Sequence, residues 1–369
     1  LFHTEPSNFH FPLKPDMFVW RMADLLIRKP DDWHIHLRDG AALKLTVPQA
    51  ARQFGRVIAM PNLRPPVDSI EAARDYRTRI LDAVPSEYRN RFHPITPLYL
   101  TDRITASVIE EAVKIDYIKA VKLYPAGATT NSESGVADLA PFYAVFEAMQ
   151  KHRMPLLIHG EVTDVQVDVF DRERVFVERQ LHPLRERFPE LPMVLEHVSS
   201  KEGVRFVEIH ERHTAATITV HHMLLTRNDI FQGGLQPHHF CLPVVKTEED
   251  RQAVRAAAFS GKPCFFAGTD SAPHARHKKE SACGSAGIYT AHAAVELYAE
   301  IFDEEGMLDR LEAFLSEYGA RFYGLEPGQE KVRLVRTPWT VPDSYDMGGD
   351  ELIPFRAGRS VSFRLEEDR

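Results

Sequence analysis

From Asp31 onward the chain repeats one pattern: eight short runs rich in apolar and β-branched residues, each followed by a longer stretch with helical periodicity. The runs are Asp31 to His36, Arg56 to Pro61, His93 to Tyr99, Lys119 to Tyr124, Met154 to His159, Pro192 to His197, Ala215 to Val220 and Pro263 to Gly268. Several are too apolar for strands wet on one face, which suits parallel strands covered by helices. Between them, Ile70, Ala73, Arg77, Ile80, Leu81 and Val84 mark a helix opened by an Asp68 to Glu71 capping box, and Thr247 is a similar start before Ala253 to Phe259. Eight strand-helix units predict an α/β fold, a (β/α)8 TIM barrel; pattern alone leaves an open doubly wound sheet as the alternative.

With 369 residues, 44% of them hydrophobic, the chain can bury one large core or two modest ones. Its net charge of -8, with both signs interspersed, leaves no basic stripe for nucleic acid, and no run of some ~18 apolar residues offers a membrane span. The three cysteines, Cys241, Cys264 and Cys283, show no Cys-x-x-Cys spacing, which argues against a disulfide framework and a thiolate zinc site and fits a cytoplasmic location. Residues 1-24 read as an appended or disordered segment, with Met22 a candidate natural start; Arg21, Asp24 and Arg28 interrupt the apolar patch from Met17 to Ile27, so no signal peptide is assigned. The barrel is expected over 25-324. Beyond Gly324 the texture turns to Pro, Gly and charge, predicting a small C-terminal extension, 325-369, packed on the barrel, with strand-like pieces at Val332 to Val335 and Val361 to Leu365.

Polar residues fall at the ends of the runs. His34 and His36 close the first, Asn62 follows the second, Lys122 lies near the end of the fourth, His159 closes the fifth, His197 the sixth, and Asp270 follows the eighth. In a barrel those carboxyl ends share one mouth. A His-x-His pair on a strand points two imidazoles to one face, although such a pair alone is more often structural, and His93, His152, His210 and His213 read as solvated or packed. Four imidazoles and a carboxylate without sulfur suit zinc, and also manganese, cobalt or iron. Hydrolysis there needs a water acidified to a pKa of about 7 and a base, for which Asp270 is placed. Lys122 has a bland reading as a surface lysine, but the period of Ala120, Lys122 and Tyr124 allows it to face inward. A lysine held near cations loses its proton readily, and carbon dioxide can cap it as a carbamate. Arg38 continues the alternation of His34 and His36 and would offer a carboxylate a two-pronged fork, the alternative being a salt bridge to Asp39 or a nearby loop. The segment Pro125 to Ala137, rich in Gly, Ser, Thr and Asn, reads as a mobile loop at the mouth.

The stretches Pro30-Asp31-Asp32-Trp33-His34-Ile35-His36-Leu37-Arg38-Asp39-Gly40, Met60-Pro61-Asn62-Leu63, Lys122-Leu123-Tyr124-Pro125, His159-Gly160-Glu161-Val162 and Gly268-Thr269-Asp270-Ser271-Ala272-Pro273-His274 resemble the bacterial-type (class II) dihydroorotases of the amidohydrolase superfamily. The likeness runs from about Leu26 to Gly324. It implies that His34 and His36 hold one zinc ion with Asp270, that His159 and His197 hold a second, and that Lys122, as N6-carboxylysine, bridges the two. It further implies reversible interconversion of dihydroorotate and N-carbamoyl-aspartate in pyrimidine synthesis, a homodimer, and a lid formed by the 125-137 loop. Substrate contacts would come from Arg38, Asn62 and His274 at the carboxylate, from Thr129 and Thr130, and from Leu242 and Ala286 at the ring. The seventh run departs from the family pattern, with Val220-His221-His222 where Pro-Gln-His is expected, and His221 is left unassigned. The rival readings are a hydantoinase or allantoinase, sharing the metal cage but not the carboxylate clamp, and a non-catalytic binding or scaffold barrel, which would have lost ligands.

Overall fold

A computed structural model describes residues 24-367 of the chain, so the expected N-terminal segment, apart from Asp24, lies outside the described residues. Each expected run holds a strand: Asp31–Ile35, Arg56–Ala59, His93–Ile95 with Leu98–Tyr99, Val121–Leu123, Leu156–Ile158, Met193–Leu195, Thr214–Ile218 and Phe265–Ala267. All pair in parallel with their sequence neighbours. The third run serves two neighbours in two pieces, His93–Ile95 beside the second strand and Leu98–Tyr99 beside the fourth, broken at Thr96 and Pro97, where proline has no ladder N–H to give. Strand eight returns to strand one through Asp270 N to His34 O at 2.8 Å and His36 N to Ser271 O at 3.0 Å. Gly268 permits that approach: a Cβ there would sit 2.6 Å from the Cβ of Thr217 and 3.0 Å from that of His34. The order one to eight, returning to one, is that of the (β/α)8 barrel rather than of an open doubly wound sheet.

Helices cover the strands, among them Leu43–Gln53, Ile70–Asp82, Tyr143–His152, Lys201–Ile209, Glu248–Phe259 and Ala294–Glu304. Their apolar stripes face inward, as Ala73, Tyr76 and Ile80 do in the second of these. Thr247 caps Glu248–Phe259 in a capping box with Asp250. The other expected cap is corrected: Ser69, not Asp68, accepts from Ala72 N at the start of Ile70–Asp82, while Asp68 pairs with Arg103 at 3.1 Å. Ser69 holds the extended backbone that lets an N-cap side chain reach the third helical amide.

At the amino end of the barrel, Leu25–Arg28 pairs antiparallel with Lys331–Val335, which pairs in turn with Arg364–Glu367. The strand-like piece expected at Val361 to Leu365 is split into Ser360–Val361 and Arg364–Glu367, because Ser362 N turns to the Glu300 carboxylate on helix Ala294–Glu304. Among the described residues no helix is long and apolar enough to cross a membrane.

Candidate active site

The carboxyl ends of the strands converge on a buried cluster. His34 lies within strand one and His36 just beyond its end, both buried. Nδ1 of His34 stands 2.6 Å from Glu196 Oε2, so it donates there and turns Nε2 toward Asp270 Oδ1, 3.3 Å away. Nε2 of His36 stands 3.0 Å from the same oxygen. From the ends of strands five and six, His159 and His197 face each other with Nδ1 of the first 3.2 Å from Nε2 of the second, while Nε2 of His159 is held by Glu161 Oε2 at 2.7 Å. The rings of His34 and His197 lie 5.0 Å apart, so both pairs belong to one cluster. Lys122 enters from strand four, its side chain buried, with Nζ 4.8 Å over the Tyr124 ring and without a hydrogen-bond partner.

The electrostatics follow from burial working against specific partners. Burial opposes the charged form of Asp270, yet hydrogen bonds from His34 and His36 outweigh it and hold the carboxyl well below its usual range. Burial also pushes His36 down to about 3, with Arg38 adding to the effect, and pulls His197 well below an ordinary imidazole. These two rings keep their lone pairs at neutral pH. For Lys122, burial brings the amine down to about 8. Three site residues adopt left-handed backbone conformations that non-glycine residues avoid: Arg38 at φ 60°, His197 at φ 42° and Asp270 at φ 46°. Each costs on the order of 1–3 kcal/mol and persists only because surrounding structure enforces it. For His197 the enforcing contact is its own N–H on Thr217 Oγ1 at 2.7 Å; for Asp270 it is the bond to His34 O already described.

A narrow cavity opens beside His36, His159 and Asp270, and its walls include Arg38, Asn62, Thr129, Thr130, Leu242 and Ala286. His274 joins them through Arg38, whose Nη2 stands 2.9 Å from His274 Nε2 and whose Nη1 stands 3.4 Å from His36 Nδ1. Arg38 arrives by a route other than strand alternation. The strand ends at Ile35, and the left-handed turn at Arg38 itself swings the guanidinium inward. Asp39, the alternative partner, instead binds Arg79 at 2.8 Å. The 125-137 loop lies against the second strand's end, with Asn62 Nδ2 on Thr130 O at 2.9 Å and Asn131 Nδ2 on Asn62 O at 3.0 Å. His221 is buried, but it is not among the cavity's lining residues.

Sequence reasoning passed over several residues that organise this site. Glu196 accepts from both His34 and Thr217 Oγ1, the latter at 2.6 Å, and Thr217 in turn takes the His197 N–H, so one buried carboxylate ties both histidine pairs together. Lys279 is buried and donates to the carbonyls of Phe240 and Ser285, each at 3.1 Å, and of Gly287, fastening the Leu242 and Ala286 segments to each other. An available sign of the first was a glutamate within an otherwise apolar run, next to the histidine that closes it. Nothing in the sequence singled out Lys279 among its basic neighbours.

The amidohydrolase family model matches residues 26-330 of this chain. A dihydroorotase of Methylobacillus flagellatus is 55% identical over 343 residues, covering 93% of this chain and 99% of the relative. The chain belongs to the dihydroorotase family. Among solved structures, a Saccharomyces cerevisiae dihydroorotase in complex with 5-fluoroorotic acid superposes with a TM-score of 0.86 at 32% identity, covering 94% of this chain and 99% of that one. An L-hydantoinase of Arthrobacter aurescens superposes with a TM-score of 0.75 over 92% of this chain and 82% of its own, at 15% identity, which shows a shared barrel alone. Dihydroorotase family membership implies a metal cofactor, and the cluster fits one. His34, His36 and Asp270 bring three donor atoms within 4.8 Å of one another, and the buried Lys122 Nζ and His197 Nδ1 are left without partners.

Proposed function

We propose that this chain is a dihydroorotase that opens and closes the cyclic amide of dihydroorotate, giving N-carbamoyl-aspartate in pyrimidine biosynthesis, with a substrate clamp and a hydrolytic centre built from the residues above. The single observation that carries the assignment is the pairing of Arg38 with His274 beside Asn62, directly against the His36 and Asp270 side of the cluster. A guanidinium with an imidazole and an amide next to it matches a ring carboxylate, which hydantoin and allantoin lack.

Two zinc ions, one held by His34, His36 and Asp270 and the other by His159 and His197 with carboxylated Lys122 between them, would acidify a water to a pKa of about 7 and polarise the amide carbonyl. Glu196 and Glu161 hold Nδ1 of His34 and Nε2 of His159 as donors, so that Nε2 of the first, once a metal displaces its proton, and Nδ1 of the second would be the ligand atoms. Asp270, held ionised, takes the proton of the attacking water and delivers it to the departing ring nitrogen; ring closure runs the same transfer backwards. Arg38, Asn62 and His274 hold the carboxylate, Leu242 and Ala286 flank the ring, and Thr129 and Thr130 cover it from the loop, excluding water. In this proposal residues 25-324 form one metallohydrolase barrel with 325-369 as an extension packed on it, in a cytoplasmic homodimer. Replacing Asp270 with Ala should remove most turnover while part of the metal binding survives; full activity in that variant would sink the mechanism.

A further inference from the structure

His221, where the chain departs from the family pattern, sits in a second cluster of metal-binding donors. The thiol of Cys241 and the imidazoles of His221 and His222 are all buried, with one ligand atom from each within 4.8 Å of the others. The two histidines lie on the short helix Val220–Leu224 at the end of the seventh strand, and Cys241 directly precedes Leu242 in the cavity wall. Nε2 of His222 stands 3.0 Å from the Pro243 carbonyl and Sγ of Cys241 stands 3.2 Å from the same oxygen, so this nitrogen lies on the thiol's side of the ring. Nδ1 of His222 faces Thr219 Oγ1 at 2.8 Å. His221 has neither nitrogen hydrogen-bonded, although both are buried. An imidazole buried with its N–H and its lone pair both unmatched forgoes about 1–3 kcal/mol for each group and calls for a partner.

We propose that His221, His222 and Cys241 bind a zinc-class divalent ion at a third site, separate from the His34, His36, Lys122, His159, His197 and Asp270 cluster. One thiolate and two imidazoles form a borderline-soft donor set suited to zinc. The proton balance closes locally. The thiol gives its proton to solvent as sulfur binds the ion, and His222 moves its proton from Nε2 to Nδ1, which then donates to Thr219 Oγ1. Pro243 O is then released by both donors. Occupancy would tie the helix after the seventh strand to the segment carrying Leu242, steadying one wall of the substrate cavity. The site stands on its own geometry and does not depend on the proposed reaction.

The test strips the reduced enzyme of metal, titrates it with Co²⁺ and follows the near-ultraviolet thiolate-to-cobalt charge-transfer absorption. The six-residue cluster has no sulfur and cannot produce it. The expected result is a band that saturates at the intensity of one cobalt-bound thiolate per chain, abolished in Cys241→Ser, weakened roughly tenfold or more in affinity in His221→Gln, and unchanged in Cys283→Ser. Absence of the band in the wild-type chain overturns the proposal. So does a band that survives Cys241→Ser, or one that follows Cys283. Should Cys241→Ser fail to fold, His221→Gln, with circular dichroism as its folding control, decides alone: unaltered cobalt affinity there overturns the site.

Discussion

Glu196 is the place to test whether this site is held from behind. Its Oε2 takes two hydrogen bonds, from His34 Nδ1 and Thr217 Oγ1, each at 2.6 Å, in a fully buried position. In Glu196→Gln the amide oxygen can accept both donors, so the two hydrogen bonds are kept while the charge is lost and an NH₂ takes the place of the unpartnered Oε1. A charge-assisted hydrogen bond exceeds a neutral one by about 1–1.5 kcal/mol, which is close to tenfold in zinc affinity. Glu196→Ala removes the shared acceptor and leaves two buried donors unmatched, a loss of about 3 kcal/mol or more and over a hundredfold in affinity. Because Thr217 also holds the His197 amide, the loss should extend to both histidine pairs, and Thr217→Val should be markedly non-additive with Glu196→Ala. Zinc competition against a chelating dye at fixed pH, with melting curves as the folding control, reads these values. Wild-type zinc affinity in both folded Glu196 variants would refute the idea that this carboxylate organises the centre.

Arg38→Met should lower kcat/KM for dihydroorotate by roughly two orders of magnitude, since an unpaired buried carboxylate costs about 2–5 kcal/mol, and zinc content should stay unchanged. A comparable loss of zinc in that variant would place Arg38 in the metal cage instead of the clamp. For Lys122, held at about 8 by burial, the neutral amine that reacts with carbon dioxide is the form favoured above that value. At constant dissolved carbon dioxide, the rate of zinc reconstitution of the stripped chain should therefore climb from pH 6 and level off above about 8.5. A rate still rising steeply toward pH 10, the ordinary lysine range, would contradict that chemistry.

Much of this architecture is written in local pattern, because a buried parallel strand must be apolar along its length and a covering helix must show a 3.6-residue stripe. That is why each of the eight runs holds a strand, and why the residues at their ends could be read as neighbours although His34 and Asp270 lie more than two hundred positions apart. What pattern does not carry is backbone exception and cross-barrel partnership. Arg38 reaches the cavity through a left-handed residue that strand periodicity cannot foresee. Asp68 looked like a helix cap because Asp favours that position, but the chain turns one residue later and Ser69 takes the role. Glu196 and Thr217 act through partners on other strands of the barrel, and Lys279 through loop carbonyls that only the fold gathers round its amine. Cys241 could not be read as a ligand from spacing, since its companions lie some twenty residues upstream and meet it only in the fold.

The most direct measurement of the central claim is a parallel assay of one purified preparation on dihydroorotate and on hydantoin, with metal analysis of the same sample. Turnover of dihydroorotate with little or no hydantoin hydrolysis, and zinc in the preparation, is the predicted result. Equal or greater activity on hydantoin would contradict the Arg38, Asn62 and His274 clamp, and dihydroorotate turnover undiminished after complete removal of metal would contradict the hydrolytic centre.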